Sequence, residues 1–114
     1  MAAGNYDLVI DQGSDFALSV TVSEDGSPRN LSDWDARASL RSTLGATTAT
    51  NFTVDETNAA SGILVMSLPH GVSTDMEAGY YVYDLEIYQG TPGEETKVTR
   101  LLQGEVTLRG EVTR

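Results

Sequence analysis

Apolar and polar residues alternate one for one along much of this chain. From Asp15 to Val22, Phe16, Leu18, Val20 and Val22 fall on one side, and Asp15, Ala17, Ser19 and Thr21 fall on the other. Successive side chains of a strand point to opposite faces, so the run reads as a half-buried antiparallel strand. The same period governs Trp34 to Arg41, where Trp34, Ala36, Ala38 and Leu40 face inward and Asp35, Arg37, Ser39 and Arg41 face outward. It is clearest from Gly79 to Gln89. There Tyr81, Tyr83, Leu85 and Ile87 share one face, and Tyr80, Val82, Asp84, Glu86 and Tyr88 share the other. Shorter runs at Tyr6–Ile10, around Phe52 and Val54, and at Gly62–Leu68 read as further strands. Lys97–Leu108 is the returning partner of the long tyrosine-rich strand.

Turn residues separate these runs. Asp11-Gln-Gly-Ser-Asp15 is a corner in which Gly13 suits a tight turn or a bulge, and Glu24-Asp-Gly-Ser-Pro28 and Gln89–Glu95 are hairpin signals. Asn30–Trp34 reads as one helical turn capped by Ser32 or Asn30, and Trp34, the sole tryptophan, as a core anchor. Ser42–Thr50 is a small, polar loop. Val72–Gly79 reads as a short helical turn with a Ser or Thr cap and a terminal glycine. Gly104 marks a bulge or a close approach of another backbone. Roughly seven to eight short strands, with turn signals roughly every eight to twelve residues, point to an all-β, immunoglobulin-like antiparallel β-sandwich with one short helical turn. A small barrel is the alternative. The 114 residues form one domain, 1–114, in which 1–5 and 110–114 are read as extended arms.

Charge narrows the partners. Seventeen acidic against seven basic residues give a net charge of -10. Such a surface repels nucleic acid and anionic lipid, and it also keeps a protein soluble at high local concentration. Neither nucleic acid nor membrane is expected as a partner. The N-terminal residues have no basic and apolar regions of a secretory signal, and the best apolar run is only Ile63–Met66, so a soluble protein made in a cytoplasm is expected. The absence of cysteine excludes disulfides, thiolate metal sites and a cysteine nucleophile.

Several segments in this order resemble small structural proteins of tailed bacteriophages, including domains similar to the N-terminal domain of upper baseplate proteins. The resemblance runs through Tyr6-Asp-Leu-Val-Ile-Asp-Gln-Gly13, Asp25-Gly-Ser-Pro-Arg-Asn-Leu31 and Ala36-Arg-Ala-Ser-Leu-Arg41. It continues in Gly79-Tyr-Tyr-Val-Tyr-Asp-Leu-Glu-Ile87 and Val98–Thr107, where Arg100 and Gly104 match an Arg-x-x-x-Gly pattern near the middle of the closing strand. It implies a virion component built on an immunoglobulin-like sandwich. Partners would be other virion proteins or copies of the chain in a symmetric assembly. It implies no catalytic residue and no cofactor.

The residues themselves point away from catalysis. His70 is the single histidine and sits in a Pro69-His70-Gly71 turn, without a Gly-x-Ser-x-Gly motif to supply a nucleophile. One histidine and no cysteine argue against a zinc site. Asp11 and Asp15, Asp33 and Asp35, and Asp55 and Glu56 are acidic pairs of the kind calcium uses, but none follows an EF-hand spacing, and turns favour the same residues. Asp84 and Glu86 share a strand face, as a glycosidase pair would, yet Arg100 and Lys97 on the returning strand are placed to neutralise them. No catalytic, cofactor or metal residue is therefore assigned. The candidate interface residues are Tyr80 and Tyr88, on the charged side of their strand, and Glu111, Val112, Thr113 and Arg114, which can extend a neighbour's sheet. The expected function is non-enzymatic docking within a virion, in the tail, baseplate or neck. Capsid decoration and a free carbohydrate- or protein-binding module are the alternatives.

Overall fold

The alternating runs assemble into two facing sheets. The computed structural model describes residues 4–24, 26–43 and 45–110. The chain opens with β1 (Gly4–Asn5) and β2 (Leu8–Asp11), turns at Gly13, and runs through β3 (Phe16–Thr21). A small ribbon of β4 (Ser23–Glu24) and β5 (Ser27–Pro28) precedes β6 (Asp35–Arg41). Then follow β7 (Thr50–Asn51), β8 (Thr53–Asp55), a 3-10 turn at Ala59–Ser61, β9 (Ile63–Leu68) and a single α-turn, α1 (His70–Ser73). The long hairpin of β10 (Gly79–Thr91) and β11 (Glu94–Arg109) completes the fold.

One sheet has the order β1-β11-β10-β6-β7, with β2 also on β11; the other is β3-β9-β8. This is the strand order of an immunoglobulin-like sandwich. Seven strands have three or more residues and four are two-residue pieces, which agrees with the expected count. The opening strands differ from the all-antiparallel expectation: β1 and β2 both run parallel to β11.

The core lies where the sequence period places it. Leu8, Ile10, Leu40, Leu85, Ile87, Val106 and Leu108 from the larger sheet meet Leu64, Met66 and Leu68 from β9. Burying a side chain of this size contributes about 1.5–3 kcal/mol. Phe52, buried between β7 and β8, marks the point where the chain leaves one sheet for the other. Its ring centroid lies 6.3 Å from those of Phe16 and Tyr83, so it joins the two inner faces. The Tyr81 hydroxyl donates to the Glu77 carbonyl four residues upstream, a tyrosine corner of the kind that sandwich folds place at the start of this strand.

Three local expectations are corrected. Trp34 is half-buried and packs at the margin of the core, with the Arg29 guanidinium 5.2 Å from its ring, while Leu31 fills the deeper position. Asn30–Trp34 forms a hydrogen-bonded turn and no helix, because the Asn30 side chain accepts from the Ser32 amide and Trp34 N–H bonds back to Leu31. The helical turn expected within Val72–Gly79 begins earlier, at His70, because the Asp15 carboxylate caps the His70 N–H from across the fold at 2.8 Å.

Gly104 is a close-approach point. A Cβ there would overlap the Tyr6 carbonyl and lie 3.0 Å from the Asp7 carboxylate. Tyr83 pairs with Gly104 across the hairpin, and its hydroxyl donates to that same carbonyl. The tyrosine thus reaches past the missing side chain to the strand beyond. Burial pushes its phenol up to about 12. We expect Gly104→Ala to lower unfolding free energy by about 1–3 kcal/mol in urea titration, the range for forced overpacking. An unchanged midpoint would show that the opening strand can move aside.

Candidate interaction face

Alternation leaves the larger sheet with a polar outer face, and pairing register lines its residues up in rows. Asp84 lies opposite Ser39 of β6 and Gln103 of β11; Glu86 lies opposite Arg37 and Arg100; Tyr88 lies opposite Asp35 and Val98. A bulge beside Leu85 and Glu86 leaves Leu101 unpaired in the ladder and aims Arg100 at the acidic pair.

Two arginines hold this face together. Arg37 meets Glu86 at 3.0 Å and Glu95 at 2.8 Å, and its guanidinium lies 4.6 Å from the Tyr88 ring. Arg100 meets Asp84 at 3.4 Å and Glu86 at 4.0 Å. Arg41 donates to the Ala46 carbonyl at 2.6 Å, tying down the loop after β6. The sequence expectation that Arg100 neutralises Asp84 and Glu86 is met. Lys97 makes no ion pair among the described residues, since it lies opposite Gln89. Arg37 takes its place from the other neighbouring strand. Its outward position was legible, but only the strand order shows that β6 and β11 flank β10 on opposite sides.

Beside this network is an open hollow of about 590 Å³, bordered by Asn5, Ser39, Arg41, Asp84, Arg100 and Gln103. Two carboxylates of this face respond in opposite ways. Glu95 is pulled down to about 2 by its hydrogen bond from Arg37, with help from the Gly93 N–H. Asp84 is pushed up by burial and by Glu86, against the pull of Arg100, Arg37 and Arg41.

Tyr80 stands apart from this network and is 77% exposed. Its cross-strand neighbour is Thr107, and Thr107 lies beside Val9 of β2, which is 57% exposed. The two candidate tyrosines thus sit in different settings, one open and one half-covered by an arginine. Glu111, Val112, Thr113 and Arg114 lie outside the described residues.

The other polar residues singled out in the sequence make local contacts. His70 Nδ1 lies 2.8 Å from the Asp15 carboxylate, and these bonds hold the Asp15 carboxyl below the usual range. The buried Ser73 hydroxyl accepts from the Gly13 N–H and donates to the His70 carbonyl. Asp11 pairs with Arg109 at 2.6 Å, so the Asp11 and Asp15 carboxylates are drawn to different partners. Asp55 accepts from the Thr57 amide and hydroxyl, an ordinary turn contact. Among the described residues, no three His, Cys, Asp or Glu side chains converge as a metal site.

The fold has a solved counterpart. The N-terminal domain of phage TP901-1 ORF48 superimposes with a TM-score of 0.57 at 14% identity, covering 96% of this chain and 99% of that one. The resemblance to phage domains drawn from the sequence is thus met at the level of the fold. A chain from the complex of ICOS with ICOS-L and an anti-ICOS-L VNAR domain has a TM-score of 0.48 at 16% identity, over 96% of this chain and 56% of that one. No protein-family model and no curated protein sequence matches the chain.

The pH dependence of stability tests the network. Glu95 contributes in full above its ordinary value of 4.5, and the contribution is lost as pH falls towards about 2. Asp84 has the opposite sign: its folded value is raised above 3.8, so stability from the neutral form is present below 3.8 and lost as pH rises through the raised value. Glu95→Gln is expected to lower the thermal midpoint at neutral pH, with the deficit closing as acid is added. Asp84→Asn is expected to raise the neutral-pH midpoint, with the gain disappearing in acid. Midpoints of both variants and the parent across this range check the signs; deficits of the same sign would refute the arrangement.

Proposed function

We propose that this chain is a non-enzymatic structural component of a tailed-bacteriophage particle that docks by surface complementarity in the tail, baseplate or neck. The observation that carries this reading is the end-to-end overlay with a phage domain, which spans 96% of this chain and 99% of that domain. The order of sequence segments supports the same reading independently. The outer sheet face adds a physical basis. Its ion pairs are internally satisfied, so it offers a preorganised polar surface, and Tyr80 supplies an exposed aromatic of the type that anchors interfaces.

The partners in this reading are other virion proteins or further copies of the chain in a symmetric assembly. Tyr80, Tyr88 and the segment Glu111–Arg114 are the proposed contact residues. A net charge of -10 favours partner surfaces that carry basic groups.

Quantitative mass spectrometry of purified virions, normalised to the major capsid protein, tests the assignment. A few to a few tens of copies per particle is the expected result. Hundreds of copies would replace the tail assignment with capsid decoration. Absence from particles would overturn the virion reading and return the chain to a free binding module.

A further inference from the structure

The smaller sheet has an open edge. In β3–β9 the register is Phe16 to Leu68 through Thr21 to Ile63, and just beyond it the Val22 N–H bonds to the Gly62 carbonyl at 2.7 Å. In an antiparallel ladder, hydrogen-bonded pairs alternate with non-bonded pairs. Counting back from Val22 and Gly62, the bonded pairs are Val20 with Leu64, Leu18 with Met66 and Phe16 with Leu68. The Ile63 N–H agrees with this phase, since it bonds to Asn58 and not to Thr21. The N–H and C=O groups of Ala17, Ser19 and Thr21 therefore point away from β9. All three residues are exposed, and β3 pairs with no other strand among the described residues.

This edge lacks the usual protections. Proteins blunt an exposed edge with lysine, proline, a bulge or a very short strand. β3 has six residues, no charge, no proline and no register shift. The opposite edge of the same sheet, β8, has three residues and ends in Asp55. The far edge of the larger sheet, β7, has two. The outward residues beside β3 continue the uncharged character: Ile63, Val65 and Ser67 of β9 lie opposite Thr21, Ser19 and Ala17. An uncharged strip of this kind is conspicuous on a chain of net charge -10.

We propose that β3 is a strand-addition site, at which an extended segment of another protein becomes the fourth strand of the β3-β9-β8 sheet. The three outward N–H groups and three outward carbonyls define its chemistry. The occupant is an extended backbone with free hydrogen-bonding groups on one edge and no charge along the paired stretch. Long-range charge selects a basic segment over a second copy of this acidic chain. The proposal stands whether or not the chain belongs to a virion.

Amide hydrogen exchange of the intact, isotopically labelled chain tests it, residue by residue, by NMR. In the free protein the amides of Phe16, Leu18 and Val20 should be protected, and those of Ala17, Ser19 and Thr21 should exchange rapidly. The probe is a synthetic peptide of alternating Thr and Val flanked by lysines. A control peptide carries N-methyl groups on every residue of the Thr and Val stretch, which removes the donors from both of its edges. At saturation the first peptide should slow exchange at Ala17, Ser19 and Thr21 at least about tenfold, the ratio expected when a bond worth roughly 1.4 kcal/mol forms. The methylated peptide should not. Ser19→Pro removes one outward donor while leaving the bonds to β9 intact, and should abolish the effect. Ser19→Lys, which places a charge on the edge without touching the backbone, should weaken binding as a second check. No protection with the unmethylated peptide, or equal protection by both peptides, would overturn the proposal. So would concentration-dependent protection in the free protein together with a dimer in sedimentation, since the occupant would then be a second copy.

Discussion

The contact between Tyr6 and Gly104 decides how the first strands are used. With no Cβ on Gly104, the Tyr6 carbonyl can lie against β11, and the Tyr83 hydroxyl reaches that carbonyl from the next strand over. The contact sits between the paired stretches Gly4–Asn5 and Leu8–Asp11, which share one register on β11. Leu8 and Ile10 enter the core by this route, because the same register presents them inward beside Val106 and Leu108. A side chain at position 104 would push the strand outward and withdraw two buried apolar residues with it.

The same commitment shapes the opposite sheet. A strand that pairs with β11 from Gly4 to Asp11 has no described residues left to pair with β3. The exposed backbone row of Ala17, Ser19 and Thr21 is therefore the geometric complement of the Gly104 contact. One backbone approach closes the margin of the five-stranded order and leaves the three-stranded sheet open. Net acidity contributes a second control, since charge repulsion between identical copies opposes edge-to-edge pairing without blocking a basic strand.

Local periodicity carried much of the fold. The alternations in β3, β6 and β10 identify their inner faces correctly, down to Leu40, Leu85 and Ile87 in the core. Gly104 was also legible as a close-approach point, since a glycine within a strand pattern has few other uses. Nothing in the first eleven residues distinguishes a parallel from an antiparallel partner, because a short strand shows the same period in either direction. The size of Trp34 suggests full burial, whereas its indole lies beside a turn and is half-covered by Arg29. The helical turn was displaced because its cap, Asp15, is remote in sequence from the His70 amide it serves.

The outer face depends on the order of three strands and not on one hairpin alone. Asp84, Glu86 and Arg100 are neighbours in one hairpin, so the two-strand register suffices to join them. Arg37 belongs to the far flank of β10, and only the order β11-β10-β6 brings it to Glu86 and Glu95. That third strand changes the electrostatics in kind. Glu95 gains a directed arginine bond and is held low, while Asp84, nearer the centre and beside Glu86, bears the cost of burial and is raised. Two carboxylates of one outer face thus acquire opposite responses to pH. The outer face pairs arginines with its carboxylates internally, whereas the exposed backbone row of β3 has no strand partner among the described residues.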